Sequence, residues 1–305
     1  MSHDTARDAC ETLTTVRDWL RYGVSRFNRA ALVYGHGTSN ALDEAAYLIL
    51  NTLALPIDQL DPWLEARLTM AERQRIAELF EKRIATRKPA AYLVGEAWLG
   101  PYRFKIDERV IVPRSYIGEM MINGLEASLP YLGEVRSILD VCTGSGCLAI
   151  VAALEFEDAY VDAVEISDDA LAVAAENVSD YGLEDRVRLL KSDLFSAVEG
   201  QRYDLIIANP PYVTDAAVAE FPPEYRAEPM LAHAGGADGL DLVRRIVDGA
   251  SQHLEKDGVM IVELGAGREA FETIYPDLAL EWLDTENSEG EVFAVTARDL
   301  EEWSR

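Results

Sequence analysis

Hydrophobic positions change their period along the chain, and the changes mark out its parts. Over 4–31, Leu13, Val16, Leu20, Val24 and Phe27 recur at helical spacing, which predicts one amphipathic helix with its apolar face in a core. Gly35-His36-Gly37-Thr38 forms a turn, after which Asn40 is a suitable N-cap for an apolar stretch over 45–55 that stops at Pro56. A further helix is expected over 62–68. Thr69 followed by Glu72 makes a capping-box pattern, opening a helix over 70–88 with Ile76, Leu79, Phe80 and Ile84 as its stripe. Residues 1–91 therefore read as a small helical domain.

The texture then turns to alternation. Trp98, Tyr102, Phe104, Ile106, Val110, Ile111 and Val112 surround the Gly100-Pro101 turn, which predicts a β-hairpin linker at 92–113. Pro113-Arg114-Ser115 breaks that pattern ahead of a helix expected over 116–129. Strands follow at 137–141, 160–166, 187–191, 203–208 and 259–264, with helices from Cys147, over 170–181 and over 240–254, and a closing strand pair at 280–283 and 291–296. This order predicts a doubly wound α/β sheet, Rossmann-like, across 114–305. The long loop over 214–238, with Pro222-Pro223 and Pro229, is expected to form one wall of a substrate cleft.

Composition narrows the class. No apolar run approaches bilayer-spanning length and no basic, apolar leader opens the chain, so the cytoplasm is the expected compartment. Cys10, Cys142 and Cys147 form no CxxC pair, and His3, His36, His233 and His253 are scattered, so a reduced protein without metal is expected. The net charge of -26 opposes a tight grip on bare nucleic acid and fits a basic protein partner better. Solubility, or adaptation to a salty cytoplasm with lysine sparse, accounts for the same charge.

Candidate chemistry sits at the carboxyl ends of the expected strands. Asn209-Pro210-Pro211-Tyr212 ends one of them in a rigid turn, because proline fixes its own φ and pushes the preceding residue toward extended geometry. The Asn209 side-chain oxygen and the carbonyls around Pro210 are acceptors open to a substrate NH2 group, and Tyr212 offers a flat face to an amide or a nucleobase. Asp140 precedes the turn Thr143-Gly144-Ser145-Gly146, whose amides open a helix N-terminus toward a ligand. Glu165 ends the next strand, where a carboxylate accepts ribose hydroxyls, and Asp193 follows the third, placed for an adenine amino group. Together these suit an adenosine. The run from Gly144 to Ala149 also satisfies G-x-G-x-x-A, so a nicotinamide dehydrogenase remains open, although no proton-relay constellation follows the fourth strand.

These residues resemble the class I methyltransferases that methylate planar NH2 groups. Further stretches, 89–95 (Pro-Ala-Ala-Tyr-Leu-Val-Gly), Val112-Pro113-Arg114, and Glu228-Pro229 with Gly239-Leu240, resemble the protein-glutamine N5-methyltransferases acting on release factors and a ribosomal protein. The release-factor branch continues Pro-Arg with Pro-Glu-Thr-Glu. Arg114-Ser115-Tyr116-Ile117-Gly118-Glu119 is closer to the branch modifying large-subunit ribosomal protein three, with Tyr116 replacing its usual proline and Gly118 its usual alanine. The resemblance spans about 33–296 and implies a seven-stranded class I fold. It implies S-adenosylmethionine held by Asp140, Thr143, Gly144, Gly146, Glu165, Asp193 and Asn209, with Asn209, Pro210 and Tyr212 catalytic. Asn209, Pro210, Pro211, Tyr212 and Arg114 would meet a glutamine side chain of a basic protein, the ribosomal protein or a release factor. Arg114 and Glu119 either orient that substrate or brace a hinge, Glu228 caps the cleft or is solvated in its loop, and Glu263 reads as structural. A DNA adenine methyltransferase and a ribosome-assembly scaffold without turnover are the alternatives, the first opposed by the chain's acidity.

Overall fold

The computed structural model describes residues 3–285 and 287–303. The chain folds as two compact units: one runs to Glu96 and takes in Pro222–Ala227, the other is Ala97–Phe221 with Glu228 onward.

The first unit is helical, built on Val16–Arg29, Ala41–Thr52 and Met70–Thr86, with Trp19, Phe27, Leu48, Ile49, Ile76 and Phe80 fully buried between them. The expected helix over 4–31 is two helices, His3–Thr12 and Val16–Arg29. The apolar period runs across the join, but Thr15 is extended and caps the second helix in a reciprocal box with Asp18. No full helix forms over 62–68. Only Asp61–Trp63 turns, because the chain beyond it pairs with the cap: Val16 donates to the Ala66 carbonyl and Leu68 to that of Thr14. The helix from Met70 ends at Thr86, with Arg87 left-handed at φ 63.

A buried ion network ties this unit together. Arg83, fully buried, donates through Nε to Glu44 Oε1 at 2.7 Å and through Nη2 to the Val33 carbonyl. Glu224, on the later segment, accepts from the Val33 amide and from Arg87 Nη1 at 2.9 Å, and its carboxylate lies 3.8 Å from Arg83 Nη1. Burial pushes the Glu44 carboxyl up, against the pull of Arg83.

The expected hairpin is shorter than 92–113. Gly95, at φ 80, ends a short helix Ala90–Val94, and the strands are β1, Glu96–Leu99, and β2, Tyr102–Lys105. Val110 turns back to the Asp107 carbonyl, and the Val112 amide is taken by Glu228, so neither joins a ladder. The helix over 116–129 is interrupted by Gly124 at φ 91, giving Tyr116–Ile122 and Leu125–Ser128.

Seven strands form the main sheet: β3, Ser137–Val141; β4, Tyr160–Glu165; β5, Val187–Lys191; β6, Tyr203–Ala208; β7, Leu254–Glu263; β8, Glu281–Thr285; and β9, Ser288–Thr296. Their order is β5-β4-β3-β6-β7-β9-β8, with β9 antiparallel to both neighbours and the first five parallel. Residues 205–208 of β6 and 259–262 of β7 are buried on both faces, as parallel strands covered by helices must be, which explains why these stretches read as unbroken apolar runs. The order reverses between β3 and β6, which pair as far as Val141 with Ala208. Ligand crevices of open α/β sheets lie at such a switch, beyond the carboxyl ends of the strands.

Removing Arg83 leaves Glu44 without its buried cation, so Arg83→Ala should lower unfolding stability by about 3–5 kcal/mol. Urea unfolding of both proteins checks this; a change below about 0.5 kcal/mol would show that the network contributes little.

Candidate active site

β3 delivers Asp140 and the turn after it. The Asp140 carboxylate is fully buried, with Oδ2 accepting from the Thr143 hydroxyl and Oδ1 lacking a hydrogen-bond partner among the described residues. Burial pushes its carboxyl up to about 7, outweighing the Thr143 bond. The turn needs left-handed backbone at Cys142 (φ 64), Gly144 (φ 57) and Gly146 (φ 79), after which Cys147–Glu155 begins. Cys142 holds its conformation without the freedom glycine would give. Behind the turn, buried Asn177 donates to the Ser145 carbonyl and the Lys105 carbonyl and accepts from the Lys105 amide, so the hairpin is pinned to the turn it supports.

Glu165, ending β4, faces the turn. One oxygen accepts from the Gly144 amide at 3.0 Å, the other from the amides of Ile166 and Ser167. A Cβ built on Gly144 would meet no atom within 4 Å, so the backbone there borders free space. That space is a cavity with about 620 Å³ free of atoms, part of it open solvent, lined by Cys142, Gly144, Glu165, Asn209 and Pro211. Its remaining wall is largely apolar, with Ile111, Ile166, Leu231 and Leu242 among the lining. Pro229, Leu231 and Ala232 come from the loop over 214–238, so part of that loop lines the cavity, while its Pro222–Ala227 belongs to the helical unit. Asp193 lies apart from this lining, half exposed, with its carboxylate paired to Arg245 at 2.8 Å.

β6 delivers Asn209, whose side-chain Nδ2 donates to the Arg114 carbonyl at 3.2 Å. That bond assigns the amide's two ends and leaves Oδ1 as the acceptor. The Arg114 guanidinium is engaged elsewhere. It forms a two-pronged pair with buried Glu228, both contacts 2.8 Å, while Glu228 also accepts from the Val112 amide and lies 3.0 Å from His233 Nε2. Glu228 is thus neither a solvated loop acid nor a free cap. Glu119 accepts from Asn287 instead of joining this group.

Tyr212 is held from two sides. Its hydroxyl donates to Glu263 Oε1 at 3.2 Å, and its ring lies on Gly265, where a Cβ would come within 2.6 Å of Tyr212 Cε2. Gly239 likewise admits the Tyr212 carbonyl, which a Cβ would approach to 2.3 Å. Val213 accepts from Gly235 and donates to His233, so the returning loop pairs with the chain leaving Tyr212. Glu263 itself accepts from the Ser115 hydroxyl at 2.7 Å and the Tyr116 amide at 3.0 Å, and burial pushes its carboxyl up to about 7. Asn177, Glu263, Gly265 and the Glu228 pairing were not legible as site supports; Glu228-Pro229 and Gly239-Leu240 were the available signals.

The methyltransferase small domain family matches residues 119–221. The ribosomal protein uL3 glutamine methyltransferase of Bordetella pertussis is 52% identical over 290 residues, covering 95% of this chain and 97% of that protein. The protein of the same name from Neisseria meningitidis is 50% identical over 300 residues, covering 98% of this chain and 99% of its own. Among solved structures, the hMettl16 catalytic domain in complex with MAT2A 3'UTR hairpin 6 is 17% identical, with a TM-score of 0.50 over 73% of this chain and 81% of that one; it bears on the fold alone.

The raised Asp140 carboxyl carries a pH signature. The folded chain holds that proton more tightly than the unfolded chain, so the stabilisation is complete below about pH 4 and lost as pH rises through about 7. Between pH 5 and pH 8, wild type should lose on the order of 2 kcal/mol relative to Asp140→Asn, measured by urea unfolding. Parallel stability profiles for the two proteins would contradict the assignment.

Proposed function

The chain belongs to the ribosomal protein uL3 glutamine methyltransferases, and from that membership we propose that it transfers a methyl group from S-adenosylmethionine to N5 of a glutamine side chain in ribosomal protein uL3. The observation that carries the reading is the oriented Asn209 amide beside the cavity at the β3–β6 switch.

The residues present fit the cofactor. Buried Asp140 Oδ1 is an acceptor without a partner among the described residues, the Gly144 backbone borders open space, and Glu165 lines the same cavity. Asp140, Thr143, Gly144, Gly146, Glu165 and Asn209 would hold it; Asp193 would act only if its exposed pair with Arg245 opened, an inexpensive change for a surface ion pair. When bound, S-adenosylmethionine supplies an electrophilic methyl group on a sulfonium.

A carboxamide nitrogen is a weak nucleophile because its lone pair is delocalised into the carbonyl. Asn209 Oδ1 and the Pro210 carbonyl would accept hydrogen bonds from its two N–H groups and fix the direction of the lone pair. Pro210 and Pro211 keep those acceptors rigid, and the Tyr212 ring packs on the planar amide. Orientation of this kind lowers a barrier by up to about 7–11 kcal/mol. The methylated nitrogen, cationic after transfer, loses a proton without a strong base. Arg114 acts from behind, through its carbonyl on Asn209, with its side chain locked on Glu228.

The net charge of -26 supports a basic partner by steering, and the helical unit, which cofactor binding does not explain, would select it. Such a substrate puts the reaction in the cytoplasm.

Incubation with methyl-labelled S-adenosylmethionine and uL3, followed by mapping of the modified peptide, should place the label on one glutamine. Asn209→Ala should reduce turnover by about 10²–10³-fold, the loss typical of removing one oriented polar group from a reacting centre. Label entering DNA or a release factor but not uL3, or near-full turnover by Asn209→Ala, would overturn the proposal.

A further inference from the structure

We propose that Glu263 is a positioning residue for this methyl transfer, holding with one carboxylate both the Tyr212 ring and the segment whose carbonyl orients Asn209. The inference rests on the glutamine reading above and names a residue that reading does not use.

Glu263 is the last residue of β7, one step beyond the Ala208–Val262 pair, which sets it beside the point where β6 gives way to Asn209. It is 2% exposed, and the preceding strand residues Met260, Ile261 and Val262 are fully buried apolar side chains. An apolar residue would suit the sheet there better, since a buried carboxylate is costly unless donors satisfy it. Donors converge on it: Oε1 receives the Tyr212 hydroxyl, and Oε2 receives the Ser115 hydroxyl and the Tyr116 amide. The Ile117 amide also favours the charged form.

The two oxygens reach the two sides of the amide cradle. On one side, the Tyr212 ring is trapped between Gly265, whose φ of +53 and missing Cβ admit it, and the carboxylate at its tip. On the other, Ser115 caps the helix Tyr116–Ile122, and the residue before it, Arg114, presents its carbonyl to Asn209. A displaced carboxylate therefore frees the ring and the strut together. The charged groups nearby have separate ties: Arg114 pairs with Glu228 and Glu119 with Asn287, while Glu291 faces Tyr116. Glu263 is the carboxylate that receives the Tyr212 hydroxyl. Because misplacement by about 1 Å can cost about 10²-fold in rate, the effect should fall on turnover.

The test is a double-mutant cycle with Glu263→Gln, Tyr212→Phe and both, measuring kcat, KM for uL3 and the cofactor dissociation constant. Glu263→Gln should lower kcat by about 10–100-fold, with KM and cofactor affinity within about threefold. Tyr212→Phe keeps the ring and removes only the tethered hydroxyl; it should lower kcat at least about fivefold, and the double variant should be no slower than the slower single within about twofold. A purely structural Glu263 would lower stability without that non-additivity. The proposal is overturned if Glu263→Gln keeps kcat within about twofold, or if the two losses multiply in the double variant. Should Glu263→Gln fail to fold, Tyr212→Phe decides alone: a fivefold loss supports the tether and unchanged kcat overturns it. Wild type that leaves uL3 unlabelled sinks the glutamine reading and this inference with it, whereas full wild-type labelling with unaffected variants sinks this inference alone.

Discussion

The hydrogen bond from Asn209 Nδ2 to the Arg114 carbonyl is the interaction on which the site depends. A primary amide has one donor end and one acceptor end, and only one of them can face an incoming NH2 group usefully. By committing its donor end to the backbone at residue 114, Asn209 is left with its acceptor end for the substrate. The prolines that follow prevent that commitment from being undone by backbone rotation. The rest of the second unit can be understood as holding residue 114 and residue 209 in register.

Parallel pairing and buried carboxylates share that task. β3 and β6 run side by side at the switch, so the Cys142–Gly146 turn and the Asn209 turn leave the sheet as neighbours. Buried acids then connect the turns to segments remote in sequence: Glu228 takes the Arg114 guanidinium and the Val112 amide, and Glu263 takes Ser115, Tyr116 and Tyr212. Removing such acids from water is unfavourable, and each is offset by several charge-assisted hydrogen bonds. In the helical unit, Glu44 and Glu224 on Arg83 and Arg87 follow the same rule.

The β6 strand and its Asn-Pro-Pro-Tyr end were legible because both are local: an apolar run of strand length, then residues whose conformations are nearly forced. The glycine turn after β3 and the acid ending β4 were legible for the same reason. What stayed hidden is of longer range. The break between His3–Thr12 and Val16–Arg29 left the hydrophobic period intact and was set by pairing with residues beyond Trp63. Gly265 is required by its φ of +53 and because Tyr212, far back in sequence, lies on it. Glu263 looked structural and Glu228 ambiguous because partners 148 and 116 residues away cannot be read from spacing. Asp193 shows the reverse: its strand-end position pointed to a ligand, while Arg245 supplies it with an ordinary surface partner.

The central claim concerns which end of one amide faces the substrate. A crystal structure with S-adenosylhomocysteine and a uL3 peptide containing the modified glutamine tests it most directly. The account predicts Asn209 Oδ1 within hydrogen-bond distance of the glutamine nitrogen while Nδ2 remains on the Arg114 carbonyl. A glutamine nitrogen bound elsewhere, or Asn209 turned so that Nδ2 faces the substrate, would contradict it.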